Sequence, residues 1–193
     1  VAYLAVIRLG AVMVPINLRY RQREIGHILM DCSPRLLITE SSQRSILDDS
    51  GDALDCLEAI INVDELHDWQ ANFTDQDVPV VLADDLAMII YTSGTTGRSK
   101  GAMLTHKNVL ATVTGLLSAW AWEEGDKLLL CLPLFHVHGL IVGLHCALAA
   151  GATTLMRARF DASSILDDLT SGEPTLFFAV PTIYVRLIEA LKQ

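Results

Sequence analysis

Apolar runs of strand length alternate along this chain with stretches whose apolar positions recur at helical spacing, a pattern that predicts βαβ units, parallel sheets and an α/β fold. Residues 3–9 read as the end of a helix closed by Gly10, followed by a strand at 11–14 and a break at Pro15. A helix at 24–30, ended by residues 31–34, leads to a short strand at 35–39. From 41 to 85 the pattern turns acidic and irregular, with one strand at 59–63 and a polar stretch at 64–77. That stretch reads as a solvated surface excursion, and a carboxylate cluster for metal or acid–base work is the alternative. Residues 86–91 form a compact apolar strand, residues 92–101 are dense in Gly, Ser and Thr, and Thr105 can cap a helix running from His106 toward Leu117. The predicted order there is strand, loop, helix. A second such passage follows, with a strand at 127–132, a turn at 133–139, a helix at 140–149 and a strand at 152–156 after Gly151. A last strand at 176–180 is ended by Pro181, which can open the helix at 182–191.

With 193 residues, 51% of them hydrophobic and 19% charged, the chain has enough apolar material to bury a core, which argues against disorder. The mean hydropathy of +0.38 is high for a soluble domain. It implies either a membrane segment or the interior of a larger protein. The longest apolar stretch, 140–156, is interrupted by Gly143, His145 and Gly151 and falls short of the ~20 residues a spanning helix needs. A buried helix leading into a strand is expected instead, with no transmembrane segment. The opening at Val1, inside a helical pattern and without Met or a leader sequence, suggests that the true N-terminus is absent. A net charge of -9 opposes general binding to a nucleic-acid backbone, so any polyanion site must be local. Cys32, Cys56, Cys131 and Cys146 have no CxxC spacing. They read as reduced core thiols in a reducing compartment, the cytoplasm.

The candidate chemistry lies in Thr92-Ser93-Gly94-Thr95-Thr96-Gly97-Arg98-Ser99-Lys100-Gly101. Gly94, Gly97 and Gly101 permit backbone conformations closed to other residues and let main-chain N–H groups approach an oxyanion. The hydroxyls of Thr92, Ser93, Thr95 and Thr96 add donors, and Lys100 supplies a full charge suited to phosphate. A helix starting soon afterwards could add its N-terminal dipole. A flexible linker is the alternative, but linkers do not usually sit between an apolar strand and a capped helix. The common nucleotide loop GxxxxGK(S/T) needs Gly immediately before Lys, where this chain has Ser99, and the GxGxxG pattern is absent. The ordinary P-loop NTPase and Rossmann dehydrogenase readings therefore fall away.

YTSGTTGRSKGAMLTHKN, residues 91–108, closely resembles the signature of the adenylate-forming superfamily, which includes acyl-CoA synthetases, peptide-synthetase adenylation domains and beetle luciferases. The likeness extends to LAVIRLGAVMVPINLRYR at 4–21, LPLFHVHGL at 132–140 and VPTIYVRLIEAL at 180–191. RSKG, the HxHG of 136–139 and the VPTIY run look most like malonyl-CoA synthetases and their relatives. One departure is Ser99, where the family often has Pro; Ser keeps the spacing of Lys100 and adds a donor. The resemblance implies a layered parallel-sheet sandwich flanked by helices, forming part of a large N-terminal domain over residues 1–193.

It also implies a reaction. A carboxylic acid attacks the α-phosphate of Mg-ATP to give an acyl-adenylate and pyrophosphate, and CoA then displaces AMP to form a thioester. By this resemblance the loop residues Thr92, Ser93, Gly94, Thr95, Thr96, Gly97, Lys100 and Gly101 hold the nucleotide phosphates. Lys100 is the catalytic cation, and Thr92 contacts Mg2+. His136 borders the acyl-substrate pocket and His138 lies close by. Read from the residues alone, His136 and His138 would share one side of an extended segment, with His145 one or two helical turns later, so a metal site or structural histidines are the other readings. Arg186 could pair with a dicarboxylate's distal group or form a surface salt bridge. The family's adenine- and ribose-binding segments and its small C-terminal domain are expected in the same polypeptide beyond Gln193. The 193 residues alone are therefore expected to be inactive and, with so much apolar surface, prone to aggregation. A domain that loads a carrier protein and a non-catalytic nucleotide-binding remnant are the alternatives.

Overall fold

In a computed structural model, which describes residues 2–48, 51–65, 78–92 and 98–192, the alternation resolves into two units. One comprises Val1–Leu82 with Leu86–Met103, the other Ala83–Asp85 with Leu104–Gln193.

In the first unit, helix α1 (Ala2–Arg8) stops before Gly10, whose φ of 67° suits the residue that lacks a Cβ. The strand expected at 11–14 shrinks to a single parallel bridge between Met13 and Met88. Met13 N donates to Ala87 O at 3.0 Å and Met13 O accepts from Ile89 N at 2.9 Å. The next rung would need an N–H at position 15, where proline has none. Helix α2 (Gln22–Cys32) buries Ile25, Ile28 and Leu29 at helical spacing. Its start is held by Glu24, whose carboxylate accepts from Arg21 N at 3.0 Å. It ends at Ser33, which adopts a left-handed φ of 43° just before Pro34.

The acidic stretch is more regular than its composition suggests. Strand β1 (Leu36–Thr39) pairs in parallel with β2 (Ala59–Asn62), Leu36 opposite Ala59 and Thr39 opposite Asn62. Helix α3 (Arg44–Asp48) lies between them in sequence. Leu47 and Ala53 pack with Ile25 and Leu29 into one buried cluster, so a few apolar residues organise a run of charged ones. Most of the polar stretch at 64–77 lies outside the described residues. Strand β3 (Leu86–Thr92) pairs with β4 (Lys100–Thr105).

In the second unit, helix α4 (His106–Ala119) begins where the sequence indicates. Thr105 Oγ1 accepts from Asn108 N at 3.2 Å, while Asn108 Oδ1 accepts from Thr105 N at 3.0 Å. This reciprocal box satisfies two end groups at once. Thr105→Ala is expected to cost about 0.5–2 kcal/mol, measured by denaturant titration against the parent; an unchanged midpoint would remove the cap from the account.

Strand β5 (Lys127–Leu130) is the centre of a parallel three-stranded sheet, flanked by β6 (Thr153–Met156) and β7 (Leu176–Phe177). Leu128, Leu129 and Leu130 are all buried, as expected of a strand covered on both faces. Helix α5 (Cys146–Ala150) ends at Gly151, with φ 70°. Helix α6 (Ala162–Thr170), absent from the sequence reading, is capped by Asp161, whose Oδ1 accepts from Ser164 N at 3.0 Å. Helix α7 (Pro181–Ala190) has Pro181 in its first turn and turns Ile183 and Leu187 into the core. Its Tyr184, Val185 and Ile188 stay exposed. Among the described residues no helix is long and apolar enough to cross a membrane.

Candidate functional site

Ser93, Gly94, Thr95, Thr96 and Gly97 lie outside the described residues, but both ends of their loop are placed. Thr92 closes β3 with an exposed side chain, and Lys100 opens β4, also exposed. The loop therefore joins two paired strands, which corrects the expected order of strand, loop, helix. The short strand was hidden by the glycine and hydroxyl residues before it, and its exposure does not alternate cleanly. A six-residue strand now separates the loop from α4, and that helix's first turn is already capped by Thr105. Helix-end effects fade within a turn, so the dipole expected to assist the loop is not supplied by a helix that follows it directly.

The flanks of Lys100 are held on both sides. Ser99 O accepts a hydrogen bond of 2.9 Å from His27 Nε2 on α2. A Cβ on Gly101 would stand 2.6 Å from Ile89 Cγ2 and 3.2 Å from Tyr91 Cζ. Glycine at 101 is thus required for close packing rather than for a left-handed backbone. Tyr91 is buried and donates its hydroxyl to Asp31 Oδ2 at 2.5 Å. Burial, reinforced by the Asp31 acceptor, raises its pKa well above that of an ordinary tyrosine, so it remains a donor. The His27 ring meets the Tyr91 ring edge-on, with centroids 6.3 Å apart and planes at 83°. Beside this corner opens a cavity of about 920 Å³, bordered by Arg23, His27, Asp31, Asp52, Arg98 and Ser99.

His27 and Asp31 escaped the sequence reading. Their spacing of four residues puts them on one helical face, but nothing local ties that face to positions 91 and 99.

His136 and His138 belong to the second unit. His136 is exposed, with its N–H on Pro133 O at 3.3 Å and its ring 4.5 Å from that of Phe135. His138 is half-buried and opens a π-helical segment, His138–His145. Val137 between them is helical, with φ -48° and ψ -42°, so the shared face expected of an extended segment does not exist. π-Helical turns are rare and recur at functional sites. Two glycines seat this one: a Cβ at Gly139 would lie 2.4 Å from Pro133 O, and one at Gly143 would lie 2.9 Å from Leu130 Cδ1. Burial lowers the pKa of His145 and favours its neutral ring. Among the described residues no three His, Cys, Asp or Glu side chains gather to hold a metal. Arg186 is exposed on α7. All four cysteines are free, and burial raises the pKa of Cys32, Cys131 and Cys146.

The sequence pattern of the AMP-binding enzyme family matches residues 1–193. The chain belongs to that family. Malonate–CoA ligase ACSF3, mitochondrial, from Mus musculus is 36% identical to this AMP-binding family chain over 184 residues, covering 93% of it and 32% of the relative. The oxalate–CoA ligase of Arabidopsis thaliana is 33% identical over 199 residues, covering 98% of this chain and 39% of the relative. The crystal structure of ATP-bound MatB from Rhodopseudomonas palustris matches with a TM-score of 0.83 at 34% identity, over 96% of this chain and 37% of that one. The chain thus spans about a third of the length of these AMP-binding relatives, and its α/β fold is theirs.

Proposed function

We propose that the polypeptide carrying this chain is an ATP-dependent acid–thiol ligase that activates a small dicarboxylic acid as its adenylate and transfers the acyl group to CoA. The observation that carries the reading is the whole-length match to the AMP-binding family, with malonate– and oxalate–CoA ligases among the relatives. The cation of the family's loop motif supports it: Lys100 is exposed, with both neighbouring residues anchored.

In the first step a carboxylate oxygen bonds to the α-phosphorus of ATP, the bridging P–O bond to the β-phosphate breaks, and pyrophosphate leaves with the electron pair. Lys100, its leaving peptide held by the close-packed Gly101, acts with the hydroxyls and N–H groups of Thr92, Ser93, Thr95 and Thr96 and the backbone freedom that glycine allows at 94 and 97 to stabilise the charge gathering on that leaving group. In the second step the CoA thiol, losing its proton, attacks the acyl carbonyl and AMP departs. Mg2+, when bound, would neutralise phosphate charge. Thr92 suits one contact to it, because its exposed hydroxyl is a hard oxygen donor with no side-chain partner among the described residues. His136 and His138 border the acid's pocket in this reading.

Residues 1–193 form part of the N-terminal domain, and the second half-reaction relies on residues elsewhere in the polypeptide. We place the enzyme in a reducing compartment, the cytoplasm or a mitochondrion; its cysteines are free and the relative from Mus musculus is named as mitochondrial. The test is to incubate the complete polypeptide with ATP, Mg2+, CoA and malonate, oxalate or a monocarboxylate of similar size. Pyrophosphate and acyl-CoA are then quantified. Dicarboxylate-dependent formation of both is expected. Pyrophosphate release with acyl transfer only to a carrier protein would assign a carrier-loading domain, and ATP binding without pyrophosphate release would assign a non-catalytic remnant. The 193 residues alone are expected to form no thioester.

A further inference from the structure

We infer that His27 is a positioning residue for Lys100: its Nε2–H, fixed on Ser99 O, sets where the loop cation stands during adenylation. The inference rests on the phosphate role of Lys100 proposed above.

Four contacts make the case. His27 reaches Ser99 O at 2.9 Å although 72 residues separate them in sequence. Ser99 is covalently joined to Lys100, so this hydrogen bond fixes the peptide that enters the lysine. The peptide that leaves it is fixed by Gly101, packed against Ile89 and Tyr91 with no room for a Cβ. Tyr91 then closes the circuit back to α2, its hydroxyl on Asp31 at 2.5 Å and its ring edge-on to His27. The helix bearing His27 and Asp31 is itself rigidly seated, since Ile25, Ile28 and Leu29 are buried. A lysine on four rotatable bonds is a mobile cation, and electrostatic stabilisation depends on donors held in place before the reaction begins. Ser99 has no ring to fix its φ, as a proline would. The hydrogen bond to its carbonyl supplies a constraint at that position. The ring nitrogen facing a carbonyl must carry the proton, which defines His27 as the Nε2–H donor here.

The test uses the complete polypeptide with three variants at position 27. His27→Phe keeps an aromatic ring beside Tyr91 and removes the donor, His27→Gln keeps a donor at similar reach and removes the ring, and His27→Ala removes both. Single-turnover pyrophosphate release is expected to slow roughly three- to tenfold in the Phe and Ala variants, the scale of one net hydrogen bond. The Gln variant should recover most of the rate. Thioester formation from supplied acyl-adenylate should be unchanged in all three, and melting temperatures should not follow the rate losses. Added to Lys100→Met, the Phe substitution should produce no further loss, because residues acting as one unit are non-additive. A Gln variant as slow as Ala, or a fully additive double variant, would overturn the proposal. If Lys100→Met slows adenylation while His27→Phe does not, the inference about His27 alone falls. If Lys100→Met has no effect, the phosphate role and the inference fall together.

Discussion

Replacing Lys100 with Met in the complete polypeptide is expected to slow adenylation about 10²- to 10³-fold, by analogy with loss of one preorganised donor to a developing oxyanion, while leaving thioester formation from preformed adenylate nearly intact. The asymmetry follows from the order of bond changes. Negative charge grows on pyrophosphate only while the α–β bridging bond breaks, and pyrophosphate has left before the thiol attacks. Methionine keeps most of the lysine's length and apolar stem, so the difference isolates the charge. The anchored neighbours sharpen the comparison, because the Ser99 and Gly101 contacts are made by the backbone and survive the substitution. Single-turnover pyrophosphate release and thioester formation from supplied adenylate separate the steps. Equal losses in both would refute the selective role, and no loss in either would make Lys100 an ordinary solvated residue at the start of β4.

Much of this arrangement was legible in the sequence because the signals are local. The apolar run at Leu128–Leu130, the Thr105 cap, Gly151 and Pro181 each mark an element through a choice made within a few residues. The failures have the opposite character. The strand at 11–14 looked complete until Pro15 denied its partner the next rung, and pairing partners are not encoded locally. The start of β4 was read as loop because Gly101, which packs against Tyr91 and Ile89, follows directly on a run of glycine, serine and threonine in the sequence. The π-helical turn at His138–His145 is invisible to a reading that allows only periods of 2 and 3.6. α6 received no assignment, although the Asp161 cap and the apolar Ile165, Leu166 and Leu169 are local signals of a helix. The loop motif was readable as chemistry, but its support from His27 and Asp31 depends on long-range packing.

Two glycine substitutions of identical chemistry should move stability in opposite directions, and the contrast tests how the His136 segment is built. Gly115→Ala, on the exposed face of α4 with nothing within 4 Å of the new Cβ, should stabilise by about 0.5–1 kcal/mol, since glycine in mid-helix surrenders more backbone entropy than alanine. Gly139→Ala should destabilise by about 1–3 kcal/mol, the usual range for overpacking. Its Cβ would meet Pro133 O at 2.4 Å and Leu132 O at 2.9 Å. Those atoms are backbone, so no rotamer change relieves the clash. Leu132 is the buried end of the apolar run, itself only 7% exposed. The strain must therefore be taken up by the turn from Pro133 to His138 rather than by the core. That turn carries His136 N on Pro133 O and Leu140 N on His136 O, so His136 moves with it. If His136 borders the acid's pocket, KM for the carboxylic acid should rise several-fold while KM for ATP holds. Denaturant titration of both variants supplies the stability comparison and initial rates supply the second readout. A Gly139→Ala protein as stable as its parent would show that the π-helical turn can slide away from Pro133; equal rises in both KM values would remove His136 from the acid pocket.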